Sequence, residues 1–348
     1  MNKIAAVICG YYGQGNGGDE ALLQTLLQML PEQVRPIVLS AKPQETRQRY
    51  GVETCPHRSA FSILQALSQS HCFIWGGGSL MQDVTSLASP VYYAGLMALA
   101  QQKGLKTIAW AQGIGPLRHP FSRWMTRNVL LNCTAVSVRD NASAKLVEDW
   151  QINPIIALDP VWALEAKSVS ILSDLPTPRI AVNLRQHPSL TPQRLDILTQ
   201  ALIDLQKATE ACILLIPFQP AKDRAIADFL AHKLPGVVRV IALENPRELK
   251  GLFEGVKMTI GMRYHSLIMA AAGGSSCFAI SYDPKVSQLM KELKLPGIEL
   301  EQLPDEPNLI SQVWLEQYFN SQPLSNSFIQ SLVEKALTHE QLLRKVLI

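Results

Sequence analysis

No two cysteines of this chain stand two residues apart, and no stretch reaches the ~18 uninterrupted apolar residues that a bilayer-spanning helix needs. The first absence removes zinc-ribbon and thioredoxin-like readings, the second a transmembrane one. Charge is scarce, with 18% Asp, Glu, Lys and Arg against roughly 25% in an average soluble protein. Together with 47% apolar residues this excludes a disordered scaffold. The formal net charge of +3 and the lack of any extended Lys/Arg run exclude a protein held to nucleic acid mainly by phosphate neutralisation. No clustered His/Asp/Glu signature points to a metal. Small anionic substrates suit this composition better than polyanions.

What is present begins with six cysteines, of which Cys9, Cys72, Cys212 and Cys277 lie in or beside apolar runs. They are expected as reduced core residues, which points to the cytoplasm. Glycines and Asp19 interrupt the first apolar run before a secretory core is complete.

Short β-rich runs alternate with segments of helical period. Expected strands are 3–9, 35–39, 72–75, 107–111, 135–138 and 155–158, separated by helices at about 18–30, 92–102, 121–131 and 141–150. Such an order implies parallel strands with helices on both faces, and runs that are apolar throughout read as strands buried on both sides. Residues 166–179 lapse into Ser, Asp and Pro and form the linker candidate. A second α/β unit follows, with strands at 180–184, 212–216, 237–241, 258–260 and 277–280. The expected architecture is therefore α/β: two Rossmann-like domains, 1–165 and 180–322, facing a cleft, followed by a long C-terminal amphipathic helix over 323–348. That helix carries Phe328, Leu332, Ala336 and Leu343 at helical spacing, with Glu334, His339 and Glu340 assigned to its polar face. It is expected to pack on a domain, and its few bases argue against membrane anchoring.

Three glycine-rich loops each follow a strand. The first, Gly10–Glu20, contains Gly13-x-Gly15-x-x-Gly18, which formally matches a dinucleotide fingerprint. However, Asp19 and Glu20 follow the last glycine, and the second strand ends in Ser40-Ala41-Lys42 without the acidic residue a ribose needs. Either Asp19 merely caps the helix, or Asn16, Gly17, Asp19 and Glu20 bind a polyhydroxylated ligand. The second loop, Gly76-Gly77-Gly78-Ser79, and the third, Gln112-Gly113-Ile114-Gly115-Pro116, occupy the same place after their strands. Gly77, Gly78, Gln112 and Gly113 would thus share a ligand-binding rim with the first loop.

Cationic groups stand at comparable strand ends: Arg139, Arg185, Arg263 with His265, and Lys285. Bases after buried strands and near helix N-termini suit a small multivalent anion, because guanidinium binds carboxylate or phosphate through two parallel hydrogen bonds. For Arg139 the bland alternative is an ion pair with Asp140 or another surface carboxylate, and for His265 an ordinary helix-start residue.

The Gly13–Glu20 and Gly76–Asp83 loops, Gln112–Pro116, Ser137-Val138-Arg139-Asp140, Asp159-Pro160 and Gly261–Ser266 together resemble the polysaccharide pyruvyl transferases, specifically the bacterial CsaB type. The resemblance runs from the first strand to about Lys285. It implies a GT-B-like pair of Rossmann domains and transfer of a pyruvyl group from phosphoenolpyruvate to two sugar hydroxyls, giving a cyclic ketal. Phosphoenolpyruvate is then a donor substrate and no cofactor is implied. In the CsaB type the acceptor is similar to a lipid-linked disaccharide carrying N-acetylmannosamine. By the family pattern Arg139, His265 and Lys285 hold phosphoenolpyruvate with Arg263 nearby, and the acceptor lies against the N-terminal loops.

Residue chemistry is compatible with that reading. Phosphoenolpyruvate carries a carboxylate and a phosphate, so its site needs several cations. Protonation of its methylene carbon creates the electrophile, and His265 is the candidate acid. Asp19 or Glu20 could receive the hydroxyl proton. The main rival is a nucleotide-sugar glycosyltransferase, which usually needs an acidic residue beside a glycine loop in the C-terminal half; here Ser275 and Ser276 follow Gly273-Gly274. A non-enzymatic glycan-binding protein would carry a long basic patch, which is lacking.

Overall fold

The computed structural model describes residues 3–84 and 86–348. It divides into two compact units: the chain up to Leu164 together with Ser331–Ile348, and Glu165–Gln330.

The first unit holds seven parallel strands: β1 (Ile4–Cys9), β2 (Val34–Ser40), β3 (Glu53–Pro56), β4 (Cys72–Trp75), β5 (Lys106–Gln112), β6 (Ala135–Val138) and β7 (Ile155–Ile156). Their order is β3-β2-β1-β4-β5-β6-β7. The winding direction reverses between β1 and β4, whose registers pair Val7 with Phe73 and Cys9 with Trp75. Val7, Phe73, Trp75, Met97 and Val138 belong to one buried cluster. Each such side chain contributes roughly 1.5–3 kcal/mol on burial.

The second unit repeats the plan with β8 (Arg179–Asn183), β9 (Cys212–Leu215), β10 (Val238–Val240), β11 (Met258–Gly261), β12 (Ser276–Ser281) and β13 (Gly297–Glu299), in the order β10-β9-β8-β11-β12-β13. Its reversal lies between β8 and β11, and Ile180, Ile213, Ile260, Ile280 and Trp314 share its core. Both sheets therefore have the doubly wound order expected of Rossmann domains.

Helix starts are locally encoded. Asp140 caps the helix Asn141–Glu148 by accepting from the Ser143 amide at 2.7 Å. Thr191, Asn245 and Asp283 cap helices whose first turn holds a proline, a position where the missing amide proton costs nothing. Cys9, Cys55, Cys72, Cys212 and Cys277 are buried and unbridged. Burial pushes the Cys72 thiol up to about 12.

Residues 166–179 are held against the second unit: Lys167 N donates to Arg247 O at 2.9 Å, and the Arg179 guanidinium donates to Leu175 O at 2.7 Å. The expected single C-terminal helix is two, Asn326–Ala336 and Thr338–Leu347. His339, assigned to the polar face, is fully buried beside Leu342 and Leu343. The Thr338–Leu347 helix packs on β6 and on the helix Gly17–Met29, so it completes the first unit. Among the described residues no helix is long and apolar enough to cross a membrane.

Candidate functional site

In doubly wound sheets ligands bind beyond the carboxyl ends of strands, at the place where strand order reverses. In the first unit that place is framed by the loop after β1 and the loop after β4. Asn16, rather than Asp19, caps the Gly17–Met29 helix, its Oδ1 accepting from Gly18 N at 3.2 Å. Gly17 is the first helical residue. Asp19 is half-buried over the second loop, and a Cβ on Gly78 would come within 3.5 Å of its carboxylate. Gly78 has φ +121°, which a residue with a side chain rarely adopts. Gly76 sits so close to the Tyr12 hydroxyl that a Cβ would overlap it, while Gly77 is pressed against Leu22 and Trp110.

Glu20, expected at the ligand, has another task. It is buried, accepts from Gly13 N at 2.8 Å and from the Tyr50 hydroxyl at 2.7 Å, and lies 3.8 Å from the Arg49 guanidinium. Both carboxylate oxygens are thereby spent on fixing the loop. Gln112 is likewise buried, donating to the carbonyls of Gly76 (2.6 Å) and Trp110 (2.9 Å). Its amide nitrogen ties the second and third loops together, while its Oε1 is buried without a hydrogen-bond partner among the described residues. The Gly113 amide adds a 2.8 Å bond to Gly78 O.

Arg139 closes β6 beneath this rim. It is paired not with the adjacent Asp140, which serves as a helix cap, but with buried Asp159, through an Nη1–Oδ2 contact of 2.5 Å. Its Nη2 donates to Ser79 Oγ at 3.1 Å, and Gly113 lies against the guanidinium. Arg139 thus joins three strand ends while its charge is largely met by Asp159. Asp159 accepts in addition from Val161 N at 3.0 Å.

In the second unit β8, β11 and β12 are neighbours, so the residues that follow them share one sheet edge. Arg263 stands at the start of the helix Tyr264–Ala272, but its guanidinium is engaged by Asp223 in a buried two-bond pair of 2.8 and 2.7 Å. It is therefore not the available cation expected there. Arg185 follows β8 and donates to the Tyr282 hydroxyl at 2.6 Å, its guanidinium carbon 4.7 Å from that ring's centre. The His187 ring stacks obliquely on Tyr282 at 4.8 Å. Burial, with Arg185 second, holds the His187 pKa below its ordinary value. His265 is half-buried in the first turn of its helix, and Lys285 is half-buried in the first turn of the helix Pro284–Leu293. Arg185, His187, His265, Tyr282 and Lys285 thus gather cationic and aromatic character at the end of three adjacent strands, where two helix N-termini favour an anion.

Asp223, Tyr282, His187 and His339 were not singled out from sequence as site-forming. Asp223 could have been read from its place four residues after Gln219, whose amide it caps at 2.9 Å. Tyr282 and His187 carry no pattern of their own and are found only by their contacts with Arg185.

The fold has counterparts among solved structures. A UDP-GlcNAc 2-epimerase from Methanocaldococcus jannaschii superposes with a TM-score of 0.66 at 8% identity, covering 99% of each chain. A UDP-GlcNAc 2-epimerase from Neisseria meningitidis, bound to UDP-GlcNAc, gives 0.64 at 11% identity over 99% of this chain and 100% of the other. The kitacinnamycin glycotransferase gives 0.60 at 11% identity over 99% and 98%. These likenesses define a GT-B-like pair of Rossmann domains and speak to fold alone. No curated protein sequence matches the chain. The polysaccharide pyruvyl transferase family model matches residues 16–284, which include all three glycine loops from Asn16 onward, both buried arginine pairs and His265. The chain belongs to that family and is a transferase.

Proposed function

We propose that the protein moves the pyruvyl group of phosphoenolpyruvate onto two hydroxyls of a sugar, with release of phosphate. The observation that carries this reading is the edge formed after β8, β11 and β12, where Arg185, His265 and Lys285 lie within the part of the chain matched by the family or next to it. Lys285 and Arg185 are assigned the donor's phosphate and carboxylate. His265 protonates the methylene carbon, so that positive charge develops on the neighbouring carbon. One hydroxyl attacks that carbon and gives up its proton. Phosphate then departs with the C–O bond electrons, and the second hydroxyl closes the ketal as it loses its own proton. One proton has gone to the new methyl group and one remains for phosphate, so the reaction balances without a cofactor.

On the first unit, Asp19 and the Gly78 loop are assigned to the sugar, with Asp19 accepting a hydroxyl hydrogen. The acceptor is a lipid-linked glycan of the N-acetylmannosamine type, and the enzyme works in the cytoplasm at the inner membrane face. Incubation with phosphoenolpyruvate and a panel of sugar-lipid analogues tests the reading by phosphate release and product mass. A mass gain of one pyruvyl ketal is expected. Consumption of a nucleotide sugar, with phosphoenolpyruvate untouched, would replace it with a glycosyltransferase.

A further inference from the structure

Residues 84–139 contain no Asp or Glu, although the whole chain has 29. The cations of that stretch include Arg118, Arg123 and Arg127, all exposed. Arg123 and Arg127 lie on the helix Pro120–Leu131. On the same helix Phe121 is 50%, Trp124 59% and Leu131 44% exposed, and the first two rings stack with their centres 5.8 Å apart. Helical spacing of 100° per residue puts Phe121, Trp124 and Leu131 within about a quarter turn of one another, with Arg127 and Arg123 next on one side. Ser122, Thr126, Val129 and Leu130 occupy the buried side.

The neighbouring helix, Ala88–Gln102, packs against this one, and Gln101 donates to Val129 O at 2.7 Å. Near its start it too exposes apolar side chains: Leu87, just before it, and Val91 are 53% and 47% exposed. Two packed helices of the first unit therefore expose apolar and aromatic side chains edged by arginines, and the carboxylate beside them, Asp83, is engaged by the Arg118 and His119 amides at 2.8 Å each.

We infer that this face binds the surface of an anionic lipid bilayer. Trp and Phe rings favour the headgroup boundary, and arginine beside them adds attraction to anionic lipids. Charge decides among occupants: a second copy of the same face would oppose arginine to arginine. The segment begins directly after the Gln112–Pro116 loop, so the bilayer would lie close to the edge assigned to the acceptor. The inference gives the membrane contact proposed above a place on the molecule, and it can fail independently of the reaction.

The test uses the full chain with vesicles of phosphatidylcholine alone or mixed with phosphatidylglycerol, and neither sugar nor phosphoenolpyruvate. Co-flotation with the mixed vesicles is expected, accompanied by a blue shift of emission from Trp124, the one exposed tryptophan of six. Arg123→Gln with Arg127→Gln should weaken binding on the order of 10- to 30-fold, and Phe121→Ser with Trp124→Ser should abolish it, each with an unchanged thermal melt. Failure of the intact protein to float, equal binding to neutral vesicles, or variants that bind like the parent would overturn the inference. So would a dimer in light scattering that dissociates on Phe121→Ser with Trp124→Ser, which would make the face a contact between copies. A positive result with no ketal formed would leave the surface standing and remove only the reaction.

Discussion

His339 reaches from the last helix to Ser137 at the heart of β6, with Nδ1 3.0 Å from the Ser137 hydroxyl oxygen and Nε2 3.0 Å from Leu158 O. A carbonyl can only accept, so Nε2 carries the hydrogen and Nδ1 receives the hydroxyl proton of Ser137. That serine also takes the Ala111 amide at 2.8 Å. The imidazole is thus neutral and holds the strand ends that precede Arg139 and Asp159.

Burial, despite the Leu158 carbonyl and Asp159, holds the His339 pKa down at about 4, against an ordinary 6.5. Between those values the unfolded chain binds a proton that the folded one refuses, so stability rises with pH across the interval. It is full above about pH 6.5 and falls by about 3 kcal/mol as pH drops towards 4. Urea unfolding at a series of pH values should show this slope, and His339→Gln should flatten it. Parallel slopes for the two proteins would show that His339 does not carry the effect.

Arg139→Ala should cost about 3–5 kcal/mol of stability, because Asp159 would be left charged and buried. Removing both partners should cost less than the two single changes together. Activity should fall with the single variant as the three strand ends loosen. If Arg139 serves only as a ligand for the donor, its unfolding midpoint will stay at the parent value and the KM for phosphoenolpyruvate alone will rise.

The same logic applies to Arg263 and Asp223 in the second unit. Arg263→Met should lower the melting temperature more than Arg263→Met combined with Asp223→Leu, since the double change leaves no unpaired carboxylate. Differential scanning calorimetry of the three proteins settles the point. An equal melt for parent and Arg263→Met would assign the arginine to substrate instead.

His265→Ala should lower kcat by roughly 100- to 10,000-fold with a small change in KM, as expected for a group that transfers a proton in the transition state. Lys285→Ala should chiefly raise the KM for phosphoenolpyruvate. Steady-state kinetics separate the two. An affinity-only defect in His265→Ala would demote it to a ligand of the anion.

Much of the fold was legible because its strands are short apolar runs and its helices start with recognisable caps. Strands β4 and β6 have the bounds read from their sequence, 72–75 and 135–138. The helix Pro43–Tyr50 went unseen because it buries only Thr46 and has no apolar period to read. Trp314 and Tyr318 mark the helix Pro307–Asn320, legible only once the Pro192–Thr209 helix it packs against is known. At the site, loop positions and strand-end cations could be read, but their partners could not. Arg139 and Asp159 are twenty residues apart, and Arg263 and Asp223 forty. Whether such an arginine faces a ligand or a buried carboxylate depends on pairings that no local pattern encodes. His339 was misassigned for the converse reason: a histidine with both ring nitrogens bonded can occupy a core position that its polarity argues against.

The first unit is closed by the final residues of the chain, after the second unit has been interposed. During synthesis on the ribosome, the inserted unit can therefore complete its sheet while the groove that receives His339 is still uncovered. A nascent chain stalled before Ser331 would leave uncovered, for chaperones to meet, the surface on which Leu342, Leu343 and Leu347 are buried.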